Sequence, residues 1–174
     1  MNEALANILN RRSCRKFKSE QIRPEELDAI LEAGTYAPTG RGGQSPLIVA
    51  IQDKEVRDQV ERLNAAVMGN PEMKPFYGAP TVVVVFGDSE SPFCVSDGNL
   101  VMGNLLNAAF AVGVDSCYIW RAREAFESEE GKALKAKWGV PEKYVGLGNI
   151  ILGYGEPDGI RPAAPRKEGY VIRV

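Results

Sequence analysis

The stretch from Asp97 to Val112 constrains the fold of this chain more than any other. Leu100, Met102, Leu105, Leu106, Ala109, Phe110 and Val112 follow helical spacing but spread apolar groups over more than one side. A helix apolar nearly all round must be buried, either in a core or in a subunit interface. Thr81 to Phe86, with its run of valines, reads as a strand covered on both faces. Strands are also expected at Leu47–Gln52, Ser116–Trp120 and Tyr144–Tyr154, with a weakly alternating edge strand at Tyr170–Val174. Helices are expected near Asn2–Asn10, from Pro24 to about Ala37, over Lys54–Met68 and over Ser128–Trp138. The alternation is uneven, so the expected fold is α+β, a mixed central β-sheet flanked by helices, rather than a regular doubly wound sheet. Gly69–Pro80 carries three prolines and is expected to be irregular, a candidate lid.

Repeats, low-complexity segments and a dividing linker are all absent from the 174 residues, so residues 1–174 are expected to form a single domain. Lys and Arg number 21 against 23 Asp and Glu, which leaves no electrostatic footprint for nucleic acid or an anionic membrane. No apolar run approaches the roughly 20 residues that span a bilayer, and Met1–Asn10 lacks the order of a secretory signal. Cys14, Cys94 and Cys117 are odd in number and far apart, which fits a reducing cytoplasm better than a disulfide framework. Cys117 is expected to be a buried structural residue, and Trp120 and Trp138 to be packing residues.

Histidine is absent. That removes Ser-His-Asp and Cys-His catalysis, His-ligated zinc and imidazole proton shuttling. A paired CxxC, a GxxxxGK[ST] loop and a GxGxxG turn are missing as well. Reactivity must come from elsewhere, and a bound cofactor is the economical source.

Arg11-Arg12-Ser13-Cys14-Arg15-Lys16-Phe17 gathers four cations and a hydroxyl in a chain of slightly negative net charge. Guanidinium forks bind phosphate bidentately, and a neighbouring hydroxyl adds a short donor. A second basic pair, Arg166-Lys167, lies near the other end. The two clusters could converge on one phosphate monoester; the alternative is a solvated turn with surface ion pairs. Thr39 to Pro46 is a Gly-rich loop, either a close backbone approach to a ligand or a plain connector.

Arg11–Phe17 resembles the RRSxRxF phosphate signature of the FMN-dependent nitroreductase family. Ala37-Pro38-Thr39 followed by Gln44 is similar to that family's APS…NxQP loop, and Ala108–Ile119 to its AAxxxGLGSCWI segment. Gly153-Tyr154 with Pro165-Arg166-Lys167 is similar to its closing GYP…PRK. Each motif is weak alone; four in order over nearly the whole chain are specific. Two departures stand out: Gly42 takes the place of the loop Asn with Pro46 displaced by one, and Tyr118 replaces the Trp after Cys.

The resemblance implies a homodimer with two FMN sites lined by both subunits, and the buried central helix at the dimer interface. It implies that Arg11, Ser13, Arg15 and Arg166, with Arg12 close by, hold the FMN phosphate. Pro38, Thr39, Gly40 and Gln44 would come from the other subunit. Ser116, Cys117, Tyr118 and Ile119 would run beside the isoalloxazine with backbone donors, and Asn64 would supply a polar flavin contact. The implied activity is hydride transfer from NADH or NADPH to a nitroaromatic, quinone or similar small-molecule acceptor in a ping-pong cycle, with the flavin and no side chain carrying the chemistry. A flavin-binding carrier or redox sensor without turnover is the alternative.

Overall fold

Val82 and Val84 face one hydrophobic core while Val83 and Val85 face another. The strand they belong to therefore separates two layers, as its unbroken apolar run predicts. The computed structural model describes residues 1–174. In chain order it contains α1 (Glu3–Asn10), α2 (Pro24–Thr35), β1 (Leu47–Ile51), α3 (Lys54–Val67), β2 (Thr81–Asp88), α4 (Cys94–Ala111), β3 (Asp115–Ile119), α5 (Ala122–Glu127), α6 (Glu129–Lys137) and β4 (Tyr144–Gly153). The strands form one sheet in the order β1-β2-β4-β3. One core holds Phe76, Phe86, Cys117, Phe126 and Ile151 beneath α3, α5 and α6; the other holds Ile30, Val101, Leu105, Ile150 and Leu152 beneath α2 and α4.

The α+β class agrees with the expectation, but the sheet is not mixed in the sense expected. All three strand pairs are antiparallel, and the parallel pairing in the structure is the isolated bridge of Ser13 to Ser116. A bulge between Val85 and Phe86, opposite Gly146–Gly148, bends the central pair. Tyr170–Val174 forms no strand and is exposed along its length. The outer edge of β1 has no partner strand in this chain, and Tyr170–Val174 does not pair with it.

The expected helix from Ser128 is one of two, because the chain breaks at Ser128. Its hydroxyl accepts from Gly131 N at 3.1 Å, starting α6, and donates to Ala125 O at 2.6 Å, ending α5. A Cβ at Gly131 would strike the Ala125 carbonyl, so only glycine lets the two helices abut. Gly69–Pro80 is irregular as expected but anchored rather than free. Phe76 is fully buried, its N–H donates to Glu61 Oε1 at 2.8 Å, and Arg57 Nε donates to Ala79 O at 2.9 Å. No helix is long and apolar enough to cross a membrane.

The start of α2 carries a buried carboxylate. Glu26 accepts from Arg23 Nη2 at 2.6 Å and from the Tyr154 hydroxyl at 2.5 Å. Burial pushes this carboxyl up, but the Arg23 and Tyr154 hydrogen bonds outweigh it and leave it below its ordinary value. A carboxyl with a depressed folded-state pKa contributes stability above its unfolded value, about 4.3, and loses it as pH falls through the folded one. Urea denaturation followed from about pH 5 downward should show falling stability, with part of that slope removed in Glu26→Gln.

Candidate functional site

The two ends of the chain are laced together beside β3. Cys14 N donates to Ser116 O at 3.0 Å, Arg15 N to Gly159 O at 2.8 Å and Lys18 N to Tyr154 O at 2.9 Å. Bridges pair Cys14 with Ile160 and Phe17 with Gly155, and Lys16 forms a 2.7 Å ion pair with Asp158. The result is a groove of about 760 Å³ walled by Arg11, Arg12, Ser13 and Arg15 on one side and Arg161 and Arg166 on the other, with Ile8, Leu9 and Pro162–Ala164 between. No carboxylate lines it, and none of its five arginines belongs to an ion pair. Unneutralised guanidinium groups held together repel one another unless an anion sits among them. Arg11 Nη1 is buried with no hydrogen-bond partner, a donor that an anion would satisfy.

The arginines are not equivalent. Arg12 Nη1 donates to Leu9 O and Arg11 O, both at 2.7 Å, so its charge caps carbonyls at the end of α1 rather than standing free. Arg161 is absent from the residues nominated by sequence; its only sequence signal is a cation shortly before Arg166.

In β3, Ser116, Cys117 and Ile119 are buried, whereas Tyr118 is 40% exposed. Ser116 directs its carbonyl outward to Cys14, and the alternation of an antiparallel edge directs the backbone N–H and C=O of Tyr118 outward as well. This strand therefore offers a ligand its backbone and the Tyr118 ring. The Ser116 hydroxyl is buried without a partner. Burial pushes the Cys117 thiol up, although Ser13, Arg15 and Arg11 pull the other way. A raised pKa leaves the thiol protonated and unreactive, in keeping with a structural cysteine.

Asn64 is wholly buried, with its Nδ2 donating to Trp120 O at 2.7 Å. It supports the end of β3 from below and lines no surface. Trp138 packs edge-on against Phe126, as expected of a core aromatic, but Trp120 is 62% exposed. The next residue, Arg121, has left-handed backbone (φ 77°), and its guanidinium sits 5.7 Å over the Trp120 ring.

Pro38, Thr39 and Gln44 line a second cavity, of about 620 Å³, together with Thr35–Ala37 and Gly42. It shares no residue with the arginine groove, so one chain does not unite the two sets. The loop is held in shape: Gly40 N donates to the buried Asp97 carboxylate at 3.0 Å, and Gln44 N to Thr39 Oγ1 at 3.0 Å. A Cβ at Gly40 would collide with the Phe93 ring. Arg41 and Gln44 both adopt left-handed backbone (φ 57° and 46°), strain of the kind that gathers at ligand sites.

Comparison with known proteins points one way. A model of the nitroreductase family matches residues 8–154. A protein of Archaeoglobus fulgidus whose name gives NADH dehydrogenase/NAD(P)H nitroreductase is 31% identical over 88% of this chain and 86% of its own length. A nitroreductase from Bacteroides fragilis, solved with bound FMN, superposes over the whole of both chains with a TM-score of 0.91 at 28% identity. An FMN-bound nitroreductase from Desulfitobacterium hafniense gives 0.89 at 26% identity, over all of this chain and 99% of its own.

Proposed function

Because the chain belongs to the nitroreductase family, we propose that it is an FMN-dependent oxidoreductase taking hydride from NADH or NADPH and reducing nitroaromatic, quinone or similar organic acceptors in a ping-pong cycle. The observation that carries this reading is the groove of arginines without carboxylates where the two ends of the chain meet. The bound FMN of the Bacteroides fragilis relative supplies the identity of the anion. When bound, FMN would supply the hydride-accepting and hydride-returning chemistry that no amino-acid side chain provides.

The residues present suit that cofactor. Arg11, Ser13, Arg15 and Arg166 would hold the phosphate with charge-assisted donors, including the unpartnered Arg11 Nη1. The outward backbone N–H of β3 at Tyr118 would offer a donor to the flavin ring, where electron density rises on reduction. Ser116, Cys117 and Ile119 fix that strand through their burial, and Asn64 steadies its end. Arg12 secures the end of α1 beside the clamp.

The protein acts as a homodimer. Leu5, Ile8 and Leu9 on α1 and Val95 and Leu100 on α4 are roughly half exposed, and α1 is pinned to α4 by Asn7 Nδ2 donating to Asn107 O at 2.9 Å. An apolar surface of that kind marks a protein contact. A second copy covering it accounts for the all-round apolar character of α4. It also brings Pro38, Thr39, Gly40 and Gln44 of one subunit to the groove of the other. Three free thiols suit a reducing cytoplasm.

The purified protein should be yellow, bleach without air on addition of NADH or NADPH, and regain colour with a quinone or nitrofuran. Bound flavin that neither nicotinamide bleaches would favour a carrier or sensor, and a colourless preparation indifferent to FMN would remove the reading altogether.

A further inference from the structure

Just past the end of β3 the chain presents an indole and a guanidinium side by side. Cys117 and Ile119 face the core beneath α3, α5 and α6, so the two-residue period of a strand turns Tyr118 to the other side. A Cβ at Gly148 would strike the Tyr118 ring there. Trp120 is the next residue on that side and is exposed. Its position is fixed: its carbonyl accepts from the wholly buried Asn64 at 2.7 Å, and Arg121 after it holds a left-handed backbone that long side chains seldom adopt. Arg121 belongs to no ion pair. Its guanidinium lies 5.7 Å from the centre of the Trp120 ring, near the limit of about 6 Å at which a ring holds a cation. That contact leaves five N–H donors with no carboxylate to meet them.

Neither Trp120 nor Arg121 lines the arginine groove. Ser116, whose carbonyl meets Cys14 beside that groove, lies four residues before Trp120, about 13 Å at the rise of a strand. The flavin reading puts the phosphate at Ser13 and a ring donor at Tyr118, so an acceptor beside that ring comes within reach of the next outward residue. Resting on that reading, we infer that Trp120 and Arg121 form an acceptor subsite selective for flat aromatic molecules that carry a carboxylate or similar anionic group. The indole takes the ring by stacking, and the guanidinium fork takes the anion. A neutral quinone or nitroarene gains only the first contact.

The test uses the oxidised protein as purified with its flavin. Wild type, Arg121→Asn, Arg121→Lys and Trp120→Leu are each titrated with benzoate and with benzamide, the same ring without the charge, and followed by the flavin absorption band. Asn is chosen because it tolerates left-handed backbone. Wild-type protein should bind benzoate the more tightly. Arg121→Asn should weaken benzoate about tenfold, the worth of one charged hydrogen bond, and benzamide less than about twofold, with Arg121→Lys in between. Trp120→Leu should weaken both ligands alike, by about 2- to 10-fold, the worth of one aromatic pair. Equal binding of benzoate and benzamide by wild-type protein overturns the inference, as does an Arg121→Asn variant that loses both alike. So does loss of FMN from that variant, which would make Arg121 a cofactor contact. A weakened dimer with unchanged benzoate binding overturns it too, because a carboxylate of the second copy would then meet the charge. Colourless wild-type protein defeats the flavin reading separately. Tryptophan fluorescence still reports on the subsite in that case, quenched by 4-nitrobenzoate at lower concentration than by nitrobenzene if the inference holds and at equal concentration if it fails.

Discussion

Replacing Arg11 and Arg15 together by alanine should yield a folded, colourless protein. Both side chains line the groove without an ion-pair partner, and Arg11 Nη1 is buried with nothing to donate to. Their removal therefore breaks no internal contact on which the fold depends. What is lost is binding: at about 1.5–3 kcal/mol for each hydrogen bond to a charged group, FMN affinity should fall roughly 10²- to 10⁴-fold. Flavin content per chain and equilibrium titration with FMN measure the effect, with far-UV circular dichroism as the control for folding. Unchanged flavin content in a folded double variant would place the phosphate elsewhere.

Arg57→Ala should produce the largest loss of stability, with no direct effect on the groove. Arg57 and Glu61 are 10% and 4% exposed in their side chains and pair at 2.9 Å. The guanidinium also donates to Asp58 at 2.6 Å and to Ala79 O, and lies 5.7 Å over the Phe76 ring. Glu61 accepts the Phe76 N–H with its other oxygen, so this pair fastens Gly69–Pro80 to α3. Removing the cation leaves Glu61 buried and unpaired, which costs about 3–5 kcal/mol. In a chain of this size that is a fall of roughly 6–20 °C in Tm. Replacing both partners by apolar residues of similar volume, as in Arg57→Met with Glu61→Leu, should recover only part of the loss, because the Phe76 N–H and the Ala79 carbonyl then lack their partners. A single variant that melts within about 2 °C of the wild type would show that the network is not structural.

The fold was legible where a local pattern has a single physical solution. Unbroken valines in β2 permit only a strand with two covered faces, and the structure gives each face its own core. The groove was legible for a similar reason, since Arg and Ser at Arg11–Arg15 and Arg166 have too few acids around them. Strand direction was not legible, because the antiparallel order β1-β2-β4-β3 is fixed by pairings between residues as far apart as Val82 and Ile151. The role of Arg12 depends on carbonyls left over at the end of α1, and the role of Asn64 on the Trp120 carbonyl fifty-six residues away. The left-handed turn at Arg121, next to the exposed Trp120, has no glycine to announce it. Arg161 escaped notice because its place opposite Ser13 exists only once the two ends are laced together.

FMN and riboflavin share one ring system and differ by the phosphate alone. Titrating flavin-free protein with each compares the groove's grip on that group with everything else in the site. Two or more charged hydrogen bonds predict that FMN binds at least about 10²-fold more tightly, and that Arg11→Ala with Arg15→Ala brings the two ligands close to parity. Equal affinity of the unaltered protein for FMN and riboflavin would contradict the assignment of the arginine groove to the phosphate.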